Sequence, residues 1–304
     1  MADWMHGLHP WPGAGRMVAM DRRFLLTGLT ALAAACTPSL GAFNALAPRD
    51  PGARRVAENQ AYGVGPRRKL DVYAPEQGGE RLPVVVFIYG GSWASGAKAD
   101  YAFAGAALAA QGFLTIIPDY RLVPEVRFPG FIEDCAAAVR WVVDHAAEFG
   151  GDPSRIVIAG HSAGAYNALM LALDATFLND AGVAPSSVRG VAGLAGPYDF
   201  LPFDVDATRN AFGQAADLQS TQPVNFARAD APPLLLLWGD ADTTVGPRNL
   251  RSLDAAMRAA GGAVETKIYP GVNHVDIMLA LSRPLRGRAP TLEDLTTFAR
   301  RVTA

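Results

Sequence analysis

The chain has 304 residues, of which 50% are hydrophobic and 18% charged, a composition that excludes intrinsic disorder over most of its length. Its 27 Lys and Arg nearly balance 29 Asp and Glu, for a net charge of -2, so there is no electrostatic footprint for nucleic acid or an anionic membrane surface. Two cysteines, Cys36 and Cys135, exclude a disulfide framework and a cysteine-built zinc site, and only five histidines are present.

Residues 1–36 read as a leader and export signal. The first 19 residues show no hydrophobic period; Arg22-Arg23, a mostly apolar run of 12 residues from Phe24 to Ala35, and Cys36 follow. Such a run is too short to span a bilayer, which takes about 20 residues. Its basic start and small-residue end are those of a signal peptide, with Met17 or Met20 as the expected true start. Arg22-Arg23-Phe24-Leu25 resembles a twin-arginine signal, although Asp21 stands where Ser or Thr is usual. Ala33-Ala34-Ala35 fits ordinary cleavage, and Cys36 fits a lipobox in which Ala33 replaces the preferred leucine, so both processing routes stay open. The expected location is periplasmic or envelope-anchored, the latter through a lipidated Cys36, and cytoplasmic if the signal is unused. Residues 37–68 read as a linker and lead-in.

From residue 69 two periods alternate. Residues 70–74 and 83–89 read as strands, 101–111 as an Ala-rich helix, 114–120 as a strand and 131–149 as a helix. Strands follow at 155–160, 188–195, 233–239 and 264–270, with helices at 165–173, 249–260 and 291–302. Apolar strands alternating with helices predict an α/β fold, a mostly parallel sheet covered on both faces. Residues 69–304 therefore form one catalytic domain, in which 197–231 breaks the rhythm and reads as a cap insertion.

Gly160-His161-Ser162-Ala163-Gly164 lies between a strand and a helix, which is the context of a nucleophile elbow. The turn exposes the serine hydroxyl, and the following helix aims its amide end at the reacting centre. A serine needs a base within hydrogen-bond reach, and elimination finds it. His6 and His9 lie in the leader, His145 lies within a helix, and His161 should point away from its neighbour. His274, in the loop after the last strand, remains. Asp242 and Asp240 follow strand 233–239; Asp242, deeper in the loop, is preferred as the acid that orients His274, and Asp276 reads as a local loop residue. The chain order Ser162, Asp242, His274 is that of α/β-hydrolases.

Tyr89-Gly90-Gly91-Ser92-Trp93 follows strand 83–89. Acyl transfer builds charge on a carbonyl oxygen, and fixed backbone amides stabilise it; those of Gly91, Ser92 and Ala163 are assigned as the oxyanion hole. Trp93, Tyr198, Phe200, Phe203 and Phe212 either line a pocket or pack the core, and both readings stay open.

From Leu70 to Thr303 the chain resembles α/β-hydrolase carboxylesterases with an H-G-G-x-W loop, a D-Y-R segment and a G-x-S-A-G elbow. That group includes feruloyl-esterase-like, prenylcysteine methylesterase-like and kynurenine formamidase-like enzymes. The motifs here are Gly90-Gly91-Ser92-Trp93, Asp119-Tyr120-Arg121, Gly151-Asp152-Pro153-Ser154-Arg155-Ile156, the elbow, Gly239 through Val245, and His274. Tyr89 departs from the usual histidine, which supports the loop by hydrogen bonding; a tyrosine could do likewise or reach the pocket. Asp119 and Arg121 read as mainly structural, locking the loop after their strand, with substrate charge recognition as the alternative. The resemblance implies a serine carboxylesterase without fixing its substrate; the expected substrates are small to medium soluble esters, and the expected mechanism requires no metal or organic cofactor. The absence of a long apolar lid helix argues against insoluble triglyceride. Two alternatives are an aryl-formamidase-type amide hydrolase with the same triad, and a catalytically silent, envelope-anchored binding protein.

Overall fold

Eight strands form one mixed sheet in the order β1-β2-β4-β3-β5-β6-β7-β8. They are β1 (Ala53–Ala61), β2 (Lys69–Pro75), β3 (Leu82–Ile88), β4 (Leu114–Pro118), β5 (Gly151–His161), β6 (Val188–Leu194), β7 (Leu234–Gly239) and β8 (Val264–Tyr269). β1 and β2, and β2 and β4, pair antiparallel; every other neighbour is parallel. The computed structural model describes residues 40–304. The export signal, its alternative starts, Cys36 and its lipidation lie outside the described residues.

The central strands are buried from end to end. Val84 through Ile88 and Leu234 through Leu237 are at most 1% exposed, as strands covered on both faces must be. Among the described residues the α-helices are α1 (Leu40–Leu46), α2 (Ala102–Ala110), α3 (Gly130–His145), α4 (Ala163–Leu173), α5 (Ala175–Asp180), α6 (Asp206–Phe212), α7 (Arg248–Ala259), α8 (Asp276–Leu279) and α9 (Thr291–Val302), of which α2, α3, α4, α7 and α9 pack on the strands. Two glycines of β6 report both layers. A side chain at Gly190 would strike Phe298 and Val302 of α9, and one at Gly193 would strike Leu169 of α4. Positions three apart on a strand face opposite sides, so α9 and α4 cover opposite faces.

One expectation is corrected. Residues 37–68, read as a linker and lead-in, contain α1 and the edge strand β1, so the folded unit begins at Leu40 rather than residue 69. β1 (ARRVAENQA) has no run of buried residues, because an edge strand faces water along most of its length. Register shifts at Arg55/Ala57 and Ala57/Gln60 further blur the period of two. Its ties to β2 are polar: the Asn59 amide and the Arg55 guanidinium both donate to buried Asp71. The expected helix over 131–149 ends at His145 and tightens into a 3-10 turn from Ala146 to Phe149.

Candidate active site

The parallel strands deliver four loops to their C-terminal ends, where open α/β sheets place their ligands. β5 runs into Ser162, which begins α4 with φ 55° and ψ -122°. L-residues rarely adopt that conformation, which costs about 1–3 kcal/mol. Packing holds the elbow there. A Cβ at Gly160 would lie 2.3 Å from the Gly164 carbonyl oxygen, and one at Gly164 would lie 2.1 Å from that of Ile88. The Ser162 amide donates to Leu194 O at 2.9 Å, pinning the turn to β6.

The loops after β7 and β8 supply Asp242 and His274. Their backbones are tied by Ala241 N to Val272 O (3.1 Å) and by Gly271 N to the Asp240 carboxylate (2.6 Å). His274 Nε2 lies 2.9 Å from Ser162 Oγ, and its Nδ1 lies 2.8 Å from Asp242 Oδ2. Asp242 is buried, and its second oxygen accepts the amides of Thr244 (2.8 Å) and Val245 (2.9 Å). Burial alone would raise its pKa, but the hydrogen bonds from His274, Val245 and Thr244 outweigh it and hold the carboxyl below the usual range. Of the rejected acids, Asp240 serves the Gly271 amide, and Asp276 pairs with Asn273 and Arg288. His145 pairs with Glu148.

The candidate oxyanion loop follows β3. Gly91, Ser92 and Trp93 all have positive φ (132°, 53° and 57°), which turns the chain sharply toward Ser162. Gly90 is required there, since a Cβ would sit 2.9 Å from Ser162 Cβ. Among the described residues, the amides of Gly91, Ser92 and Ala163 donate to no protein acceptor. Tyr89, at the departure from the related motif, turns away from the site. Its hydroxyl accepts from Arg67 (2.7 Å) and donates to Asp119 (2.8 Å), whose same oxygen accepts the Lys98 amide (2.7 Å). Burial first, and then the Asp119 carboxylate, raise the Tyr89 pKa and keep it a neutral donor. Arg67 also reaches Gly96 O and Tyr120 O, closing the back of the loop. It lies in the segment expected to be linker, and no local pattern marks it. Arg121 makes a bidentate pair with buried Asp134.

Ser162, Ala163, Ser92 and Trp93 line a cavity of about 500 Å³. Phe200, Leu201 and Val205 of the 197–231 segment form one wall, and Thr243, Thr244 and Arg248 another. Trp93 and Phe200 thus face the cavity, while Phe212 and Tyr198 are buried in the core. Trp93 is locked by Phe212 (ring centroids 4.7 Å apart), Tyr166 (5.3 Å) and a bond from its Nε1 to Asn167 (3.1 Å). Buried Cys135 receives the Asn167 amide, and burial pushes its thiol pKa well up, which suits inert packing. Among the described residues no His, Cys, Asp and Glu cluster could hold a metal ion, and no helix is long and apolar enough to cross a membrane.

A family model for BD-FAE matches residues 70–257. The chain is 28% identical to a probable isoprenylcysteine alpha-carbonyl methylesterase of Arabidopsis thaliana, over 79% of this chain and 61% of that protein. It is 30% identical to esterase LipQ of Mycobacterium tuberculosis, with 78% and 62% covered. It therefore spans about three fifths of the length of these relatives. Among solved structures, esterase B of Lactobacillus rhamnosis superposes with a TM-score of 0.77 at 21% identity, over 93% of this chain and 96% of that one. The sheet order, the elbow between β5 and α4, and the match over 70–257 agree: the chain has the α/β-hydrolase fold and belongs to the BD-FAE family.

Proposed function

We propose that the chain is a serine carboxylesterase acting on small to medium soluble esters. The observation that carries this reading is His274 hydrogen-bonded at once to Ser162 Oγ and Asp242, beside three undonated amides. The names of the similar proteins, a methylesterase and an esterase, favour esters over other acyl compounds.

Ser162 Oγ attacks the ester carbonyl while His274 Nε2 takes its proton. Asp242 keeps the Nδ1 proton facing itself, so that Nε2 is the basic nitrogen, and it stabilises the imidazolium that forms. The amides of Gly91, Ser92 and Ala163 receive the oxyanion, and each such donor is worth roughly 100- to 1,000-fold in rate. His274 then protonates the departing alcohol. Water, deprotonated by the same nitrogen, attacks the acyl-serine; the acid leaves and Ser162 regains its proton. A cavity of about 500 Å³ suits ligands of modest size.

Hydrolysis of p-nitrophenyl esters from acetate to dodecanoate, beside a Ser162→Ala control, tests this. Turnover should peak at short chains and fall about a millionfold in the control. Equal rates in the control would overturn the mechanism. No ester turnover together with hydrolysis of an N-formyl aryl amide would replace the ester with an amide.

A further inference from the structure

His161, which precedes the nucleophile, does not point into empty packing. Its Nε2 lies 2.8 Å from the main-chain carbonyl oxygen of His274. A carbonyl only accepts, so Nε2 carries the proton and Nδ1 carries the lone pair. Nδ1 is buried and has no hydrogen-bond partner, an uncommon state for a polar atom. It faces the oxyanion loop: a Cβ at Gly90 would stand 3.3 Å from Nδ1 and 2.8 Å from the His161 carbonyl oxygen. On the other side the His161 and His274 rings lie 4.9 Å apart between centroids. One side chain therefore lies beside both loops that must converge on Ser162.

We propose that His161 is a positioning residue that sets the spacing between the base and the oxyanion loop. Its Nε2–H holds the His274 main chain, and its ring fills the gap to Gly90. The assignment rests on the reading of His274 as general base. Among the described residues, no other donor reaches the His274 carbonyl. Without His161 the His274 loop keeps its ties through Gly271, Val272, Asn273 and Asp276 but loses the bond that holds the main chain at His274 itself.

The ring must also be neutral. Turnover makes His274 cationic, and a second imidazolium beside it would oppose that charge. Burial first, and then the neighbouring His274, push His161 down to about 3, against the opposing pull of the His274 carbonyl and of Asp242.

The test compares three variants of the full chain on p-nitrophenyl butyrate, each with its thermal midpoint. His161→Phe keeps a ring of similar size and loses the N–H. His161→Gln places an amide N–H where the ring Nε2 stands, and His161→Asn has the same amide but is too short to reach. The Phe and Asn variants should lose about 10- to 100-fold in kcat at unchanged KM, the scale of a misplaced catalytic group. The Gln variant should return to within a few-fold of the parent. Parent-like kcat in the Phe or Asn variant would overturn the proposal. So would equal losses in Gln and Asn, or losses that track the thermal midpoint across all three, either of which would mark a merely structural position. If the Phe variant does not fold, the Gln and Asn pair decides alone. Absence of Ser162-dependent turnover in the parent would instead refute the esterase reading.

Discussion

The two sides of the site are built differently. The side that holds the proposed nucleophile and oxyanion amides is made of backbone. Gly91, Ser92, Trp93 and Ser162 sit at positive φ, and Gly90, Gly160 and Gly164 leave no room for a methyl group. The acid–base side is made of side chains, with Asp242 and His274 placed by hydrogen bonds from Thr244, Val245 and Gly271 to carboxylates and from His161 to a carbonyl. Backbone geometry fixes where charge develops and tolerates no added atom. Side-chain geometry fixes which nitrogen is basic and depends on particular polar groups. An added methyl should therefore harm the first side, and a changed hydrogen-bonding group the second.

Among conservative changes that leave Ser162 in place, the largest effect is expected on the side-chain half. Asp242→Asn keeps size and shape but presents an NH2 or a weaker acceptor to His274 Nδ1, so the tautomer with basic Nε2 is no longer favoured. A loss of about 10⁴-fold in kcat is expected, with KM little changed. Steady-state kinetics at pH 8 measures it. A loss under tenfold would mean that His274 is oriented by its loop rather than by the carboxylate.

On the backbone half, Gly164→Ala adds one methyl 2.1 Å from Ile88 O and 2.5 Å from Tyr89 O. Neither atom is the end of a flexible side chain, so the elbow must shift against β3. Phosphonate labelling of Ser162 should slow by about 100-fold or more, with a lower thermal midpoint. A variant that labels at the parental rate would show the elbow to be yielding and would remove the contrast.

His161 stands at the seam between the halves, and its burial gives the seam a pH signature. In the unfolded chain this imidazole titrates near its ordinary value of about 6.5. In the folded chain it is pushed down to about 3. Below pH 6.5 the unfolded state therefore binds a proton that the folded state refuses. Its contribution to stability is whole above pH 6.5 and is lost as pH falls toward 3, at about 1.4 kcal/mol per pH unit. Between pH 7 and 5 the parent should lose about 2 kcal/mol more than His161→Gln in urea unfolding. Equal losses would mean that the folded seam admits a proton.

What could be read from the chain alone divides along the same line. The central strands announce themselves as apolar runs, because both faces are covered. Ser162 is marked as a candidate by glycine spacing within five residues, and His274 by the scarcity of histidines. The supports were not. Arg67 reaches Tyr89 and Gly96 from 22 and 29 positions away, and His161 meets His274 across 113. No local period encodes such pairs. β1 leaves no apolar run in the sequence, because an exposed edge strand has no reason to be apolar. The candidate catalytic residues thus leave local signatures, whereas those that hold them in place appear only once the chain is folded.

The smallest predicted effect is the sharpest check on the comparison, because it removes a side-chain bond from the backbone half. Tyr89→Phe keeps the ring between Tyr120 and Tyr101, at centroid distances of 4.8 and 5.4 Å, and deletes only the hydroxyl. Asp119 retains the Lys98 amide at 2.7 Å and the Arg67 guanidinium at 4.0 Å, and Arg67 retains Gly96 O. The network loses one member and leaves no carboxylate without a partner, so the expected cost is about 1 kcal/mol in stability. If the oxyanion loop is held by its own backbone, kcat should fall less than about fivefold, at most about 1 kcal/mol, against the roughly 3–4 kcal/mol that one lost hydrogen bond to the oxyanion costs. Kinetics beside a urea titration separates the two readouts. A fall of several hundredfold at modest stability cost would mean that the Tyr89 hydroxyl, rather than φ and glycine packing, aims the amides of Gly91 and Ser92. The backbone half would then depend on a polar side chain just as His274 depends on Asp242.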